Sequence, residues 1–200
     1  MSQLGVALPA MKPGDARELK IIAADQMSKH GYWSEAVDLY LQAESMAPKK
    51  PKLDAQLAPA LAGVGQFPES IQRYRRLVKD DPKNIALVGN LAYTIMESGD
   101  AVSAEAEFRR ALTIDPHYEN ARVNLGLMLA RQRRYEEALT LLVPAIGESA
   151  AHHNLGVIAI DCGDEATARQ EFSLAASLPR APKATQEFLA ALSDSGRPLH

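Results

Sequence analysis

Apolar residues recur along the chain at helical spacing, in stretches of about 11 to 14 residues on either side of a glycine. The glycines keep a period. Gly31, Gly65 and Gly99 stand 34 residues apart, as do Ala36, Ser70, Ala104 and Ala138, then Tyr40, Tyr74, Phe108 and Leu142, and also Pro48, Pro82 and Pro116. A fifth copy, with Gly163, Ala168, Phe172 and Ala175, follows its predecessor after 30 residues. The four missing residues are about one helical turn, so their loss is expected to shorten a helix while keeping its apolar face nearly in phase. Each copy is predicted to be an antiparallel helix pair, and the chain all-α.

Counted from Arg17, Pro51, Ile85, Glu119 and Ser149, the eighth position of each copy holds Ala24, Ala58, Ala92, Gly126 or Gly156. The twentieth holds Ala36, Ser70, Ala104, Ala138 or Ala168. Small side chains at both places let paired helices approach closely, while a large residue at the twenty-fourth fills the space beside them. The twenty-seventh position, Ala43, Leu77, Ala111, Ala145 and Ala175, is expected to meet the next copy.

Over residues 17–182 this pattern resembles the tetratricopeptide repeat family. The resemblance implies a right-handed α-solenoid of about five helix-turn-helix repeats, near residues 17–50, 51–84, 85–118, 119–148 and 149–182. A flexible segment is expected at 1–16, and a capping helix and tail at 183–200, where Phe188, Leu189 and Leu192 would cover the apolar end of the fifth repeat. Residues 15–18, Asp-Ala-Arg-Glu, read as a helix cap after a break at Pro13 and Gly14, and Gly196 and Pro198 as a stop.

The departures from the family pattern are specific. Its bulky fourth position holds Lys20, Asp54, Val88, Arg122 and His152; Arg133 replaces a turn glycine; and Ala23 weakens the first helix. Pro59 and Pro144 fall inside helices and are expected to kink or end them, whereas Pro68 sits in a first turn that tolerates it.

Composition narrows the function. Among 200 residues, 22 Lys+Arg face 25 Asp+Glu, for a net charge of -3, which lacks the basic field of general nucleic-acid binding. One cysteine, Cys162, excludes a disulfide framework or a cysteine-rich zinc fold. The chain has no transmembrane run and no secretory signal at its start, and is read as soluble and cytoplasmic.

No constellation of catalytic groups stands out, so the chain is read as no enzyme, with no cofactor and no metal. His152 and His153 are adjacent, which on a helix turns their rings about 100° apart, whereas helical metal ligands favour i, i+3 or i, i+4 spacing. Cys162 lies beside a turn with no partner at motif spacing. Lys49, Lys50 and Lys52 read as a solvated loop. Arg73, Arg75, Arg76 and Lys79 read as a charged outer face, diluted by Asp80 and Asp81.

What remains is the groove implied by the resemblance, lined by the first helix of each repeat. Its sixth position carries Asn90, Asn124 and Asn154, replaced by Ile22 and Gln56 in the first two copies. An amide offers donors and an acceptor together, so this ladder can read the backbone of an extended chain; Asn here can equally bond neighbouring backbone. Around it stand Tyr93, Met96, Val123, Leu127, Val157 and Ile160, with Arg131 as the nearest cation. Members of the family that clamp a chaperone tail use cationic and amide side chains at places held here by Ile21, Asp25, Ala86 and Asn90, so a two-carboxylate clamp is not expected. The reading is a non-catalytic scaffold that binds a protein or peptide partner in its groove. The alternative is a structural, self-associating subunit of a pilus, secretion or envelope assembly, with a homo-oligomer possible in either case.

Overall fold

The computed structural model describes residues 13–195, which hold eleven helices and no strand. The chain divides into two compact units, residues up to Pro82 and residues from Lys83 onward.

In the first unit α1 (Pro13–Lys29) packs on α2 (Trp33–Met46), α2 on α3 (Asp54–Gly63), and α3 on α4 (Phe67–Asp80). Its core gathers Tyr40, Leu57 and Leu61 around Ala24, Ala36 and Ala43. Ser70, at the small twentieth position, keeps the close approach of α3 and α4 because its buried hydroxyl donates to the Ala58 carbonyl at 2.6 Å.

In the second unit the hairpins α5 (Ile85–Glu97) with α6 (Ala101–Ile114), α7 (Glu119–Arg131) with α8 (Tyr135–Ile146), and α9 (Glu148–Asp161) with α10 (Glu165–Ser177) stack in chain order. The last, α11 (Ala184–Ser195), lies on α10. Consecutive stacked hairpins are the construction of an α-solenoid. The small-large pairing is visible atom by atom: a Cβ on Gly126 would stand 2.7 Å from Leu142 Cγ, and one on Gly156 2.9 Å from the Phe172 ring. Leu192 is buried with Phe172, Ala159 and Ala168, and Phe188 and Leu189 pack against the same cluster.

Asn84, Asp100 and Asp164 cap α5, α6 and α10 by accepting from the backbone N–H three residues on. The hairpin turns share one left-handed residue, a glycine in four copies and Arg133, with φ 60°, in the fourth. Arg133 adopts it while its guanidinium donates to the Cys162 carbonyl and lies 3.6 Å from Asp164.

Several expectations shift. Helix α1 begins at Pro13, so Pro13 and Gly14 belong to its first turn, where a missing N–H costs nothing, and the cap is not at residue 15. Helix α3 runs four residues past Pro59; the exposed ring removes one bond in mid-helix without ending it. Helix α8 does stop two residues after Pro144. The missing residues come out of the connection as much as the helix: α8 has 12 residues against 14 in α6, and Gly147 alone, at φ 85° and ψ 155°, joins α8 to α9. Of the segment expected to be flexible at 1–16, residues 13–16 belong to α1, while residues 1–12 and the stop at Gly196 and Pro198 lie outside the described residues.

Candidate interaction surface

The first helices of the second unit's hairpins are neighbours, α5 beside α7 and α7 beside α9. Asn90 and Arg131 are exposed, Tyr93 is 46% exposed, and Met96, Asn124, Leu127 and Asn154 are half-buried. None of the three position-six amide side chains makes a hydrogen bond among the described residues; Asn90 contributes only its carbonyl, to the Thr94 hydroxyl at 2.8 Å.

Asn90, Tyr93 and Asn124 open onto one recess of ≈ 190 Å³. Met96, Leu127, Arg131 and Asn154 do not line it. The recess also takes in Gly89, Tyr118 and Asn120, which the groove positions did not single out. Of these Gly89 had a sequence signal, in the fifth position, where it stands against Ile21, Ala55, Val123 and His153.

The histidine pair has structural partners. His152 Nδ1 lies 2.6 Å from Glu171 Oε2, and His153 Nδ1 lies 2.9 Å from Thr185 Oγ1. The His153 ring stands 5.6 Å from that of Phe172 and 5.9 Å from that of Phe188, so it belongs to the joint of α9, α10 and α11. Burial pushes the His153 imidazole below its ordinary 6.5. With the folded-state value depressed, its stabilisation is complete above the unfolded value and is lost as pH falls from there through the folded one. The urea midpoint should therefore drop between pH 7.5 and 5.5 by more in wild type than in His153→Gln, which leaves His152 and Glu171 in place. Equal drops in the two proteins would refute a buried neutral His153.

The second basic cluster is not a free outer face. Arg73 is only 6% exposed, and its guanidinium reaches Glu44 at 3.1 Å, Asp54 at 3.0 Å and Glu69 at 2.9 Å. Arg76 pairs with Asp54 at 2.7 Å, while Arg75 and Lys79 are exposed. The Arg76 hydrogen bonds first, then the Arg76 and Arg73 charges, hold the Asp54 carboxyl below its usual range. Burial pushes Glu44 up, but the bonds from Arg73 and the Leu53 N–H outweigh it and leave that carboxyl low as well. Its buried counter-ions Glu44 and Asp54 lie on other helices, which the charge run alone does not reveal.

Two models of the tetratricopeptide repeat match the chain, over residues 56–119 and 96–150. Tetratricopeptide repeat protein 8 of Caenorhabditis elegans is 24% identical over 148 residues, covering 71% of this chain and 29% of that protein. The TPR repeat-containing thioredoxin TTL4 of Arabidopsis thaliana is 28% identical over 120 residues, 54% of this chain and 17% of that one. The chain thus spans less than a third of the length of either relative. Among solved structures, a tetratricopeptide repeat protein from Parabacteroides merdae superimposes with a TM-score of 0.67 at 20% identity, covering 90% of this chain and 73% of its own. MamA of Desulfovibrio magneticus RS-1 gives 0.64 at 18%, covering 84% and 98%. YrrB, described as a TPR protein with an unusual peptide-binding site, gives 0.60 at 16%, covering 88% and 97%. At these identities the likeness is one of fold. Repeat models and solved folds agree with the 34-residue period: residues 56–150 are matched as tetratricopeptide repeats, and the fold is that of tetratricopeptide repeat proteins.

Proposed function

We propose that the chain is a non-catalytic scaffold that holds an extended segment or helix of a partner protein along α5, α7 and α9. The observation that carries this reading is the set of unengaged amides, Asn90, Asn124 and Asn154, on three successive first helices beside Tyr93, Met96 and Leu127. Each amide supplies a neutral hydrogen bond to a partner backbone worth about 0.5–1.5 kcal/mol, and the apolar neighbours add burial. Arg131 is the cation nearest this strip in the repeat pattern, so the contact depends little on charge. No helix of the described residues is long and apolar enough to cross a membrane, and a single cysteine is in keeping with a reducing compartment such as the cytoplasm.

The test is a partner recovered by affinity purification with crosslinking, then titrated against purified protein. Asn124→Ala/Asn154→Ala should bind several-fold more weakly, with little dependence on salt. The control is Arg75→Ala/Lys79→Ala, two exposed positions on α4. Full affinity in the folded Asn variant, with loss in the control, would move the contact to α4 and favour the assembly-subunit reading.

A further inference from the structure

The recess between α5 and the start of α7 exists because position five of the third repeat has no side chain. A Cβ on Gly89 would stand 2.7 Å from Tyr118 Cε1 and 2.9 Å from its hydroxyl oxygen. The Tyr118 ring therefore lies directly on α5 backbone, and a residue of any size at 89 would drive it outward. Asn90 and Tyr93 form the α5 wall, Tyr118, Asn120 and Asn124 the opposite one, and the buried Phe108 and Ala121 also line it.

The lining decides what can enter. It comprises phenol rings, amides and an aromatic edge, with no carboxylate, ammonium, guanidinium or imidazole. A charged side chain placed there would lose hydration without gaining a counter-ion. Size narrows the occupant further. An apolar cavity of about 150 Å³ holds a benzene ring, and pockets for whole small molecules begin near about 300 Å³. The ≈ 190 Å³ here fits one side chain. At its edge Asn90 and Asn124 have amides free to bond a main chain.

We infer that this recess is an anchor pocket for one neutral aliphatic or aromatic side chain of an extended partner peptide, whose flanking backbone is held by Asn90 and Asn124. The inference rests on the groove reading above and adds a specificity-determining position to it. Gly89 and Tyr118 shape the pocket, and Asn120 closes its side.

A phage-displayed random 12-residue library, selected on the immobilised full chain, supplies the probe peptides. The selected sequences should share one large apolar position, and replacing that residue by Asp should weaken binding by roughly tenfold or more. Gly89→Val, which displaces Tyr118, and Tyr118→Ala, which widens the recess, should each erase the preference at that position. Because Gly89→Val can also perturb α5, its helicity is compared with wild type, and Tyr118→Ala decides alone where it has unfolded. Asn154→Ala, outside the recess, should weaken all selected peptides alike. Peptides that respond to Asn154→Ala but ignore Tyr118→Ala and share no apolar position would overturn the anchor pocket and leave the groove standing. No binders, or binders indifferent to every variant, would overturn both.

Discussion

Arg73→Ala is expected to destabilise the first unit by about 3–5 kcal/mol, the range for removing one partner from a buried ion pair. The guanidinium joins three helices: Nη1 reaches Glu44 on α2 and Asp54 on α3, and Nη2 reaches Glu69 on its own helix. Without it the Glu44 carboxylate, 9% exposed, keeps the Leu53 N–H at 2.7 Å as its hydrogen bond, with the Lys52 charge nearby, and Asp54 keeps Arg76. Arg73→Met should fare little better, since a good apolar fit leaves both acids buried. Arg73→Lys should recover part of the loss, because one ammonium cannot reproduce a fork that meets several carboxylates. The reporter is built in: Trp33, the chain's single tryptophan, lies in this unit against Gly63 of α3. Its fluorescence should show a lowered urea midpoint for Arg73→Ala and an unchanged one for the exposed Arg75→Ala. Matching midpoints in the two variants would mean that the buried pairs contribute nothing.

This network also shows where the sequence was legible. The hairpins were readable because their determinants are pairs of positions at fixed separation, small against large, such as Gly126 with Leu142. Arg133 interrupted the glycine series but not the turn, since a left-handed residue there costs about 1–2 kcal/mol for a non-glycine, which the flanking helices can absorb. Arg73 was not readable. Four cations within seven residues look like a solvated face, and only the fold brings Asp54 and Glu44 to them. Asp54 stands where the repeat pattern has a bulky residue, and the structure makes it the acceptor for two arginines. The recess was hidden for the opposite reason. It depends on atoms missing at Gly89 and on the Tyr118 ring from the far end of the same repeat, so the Asn series put one residue on each wall but gave no sign of the space between them. The adjacent histidines were expected to be ordinary helix residues, and only the placement of α10 and α11 gives each its own partner.

In the second unit the largest effect is expected from Phe172→Ala, at about 3–5 kcal/mol, the range for emptying an aromatic site in a core. Phe172 is fully buried, rests on Gly156 of α9, and stacks on Phe188 of α11 with centroids 5.0 Å apart and planes 3° from parallel. Its loss opens a void walled by three helices and removes one ring contact each from Phe188 and His153, leaving only the contact between those two. Hydrogen exchange is the suitable readout: amides of α9, α10 and α11 should lose protection together, because one side chain joins them. The protein itself supplies a rescue. In the preceding repeat the same pair of positions is filled by Gly126 and Leu142, with Leu142 fully buried, so leucine over glycine is an arrangement this hairpin accepts. Phe172→Leu should therefore cost less than half of what Phe172→Ala costs, with the remainder coming from the lost stack on Phe188, worth about 0.5–1.5 kcal/mol. Equal loss in the two variants would show that α11 is held by the aromatic stack itself and that filling the space over Gly156 is secondary.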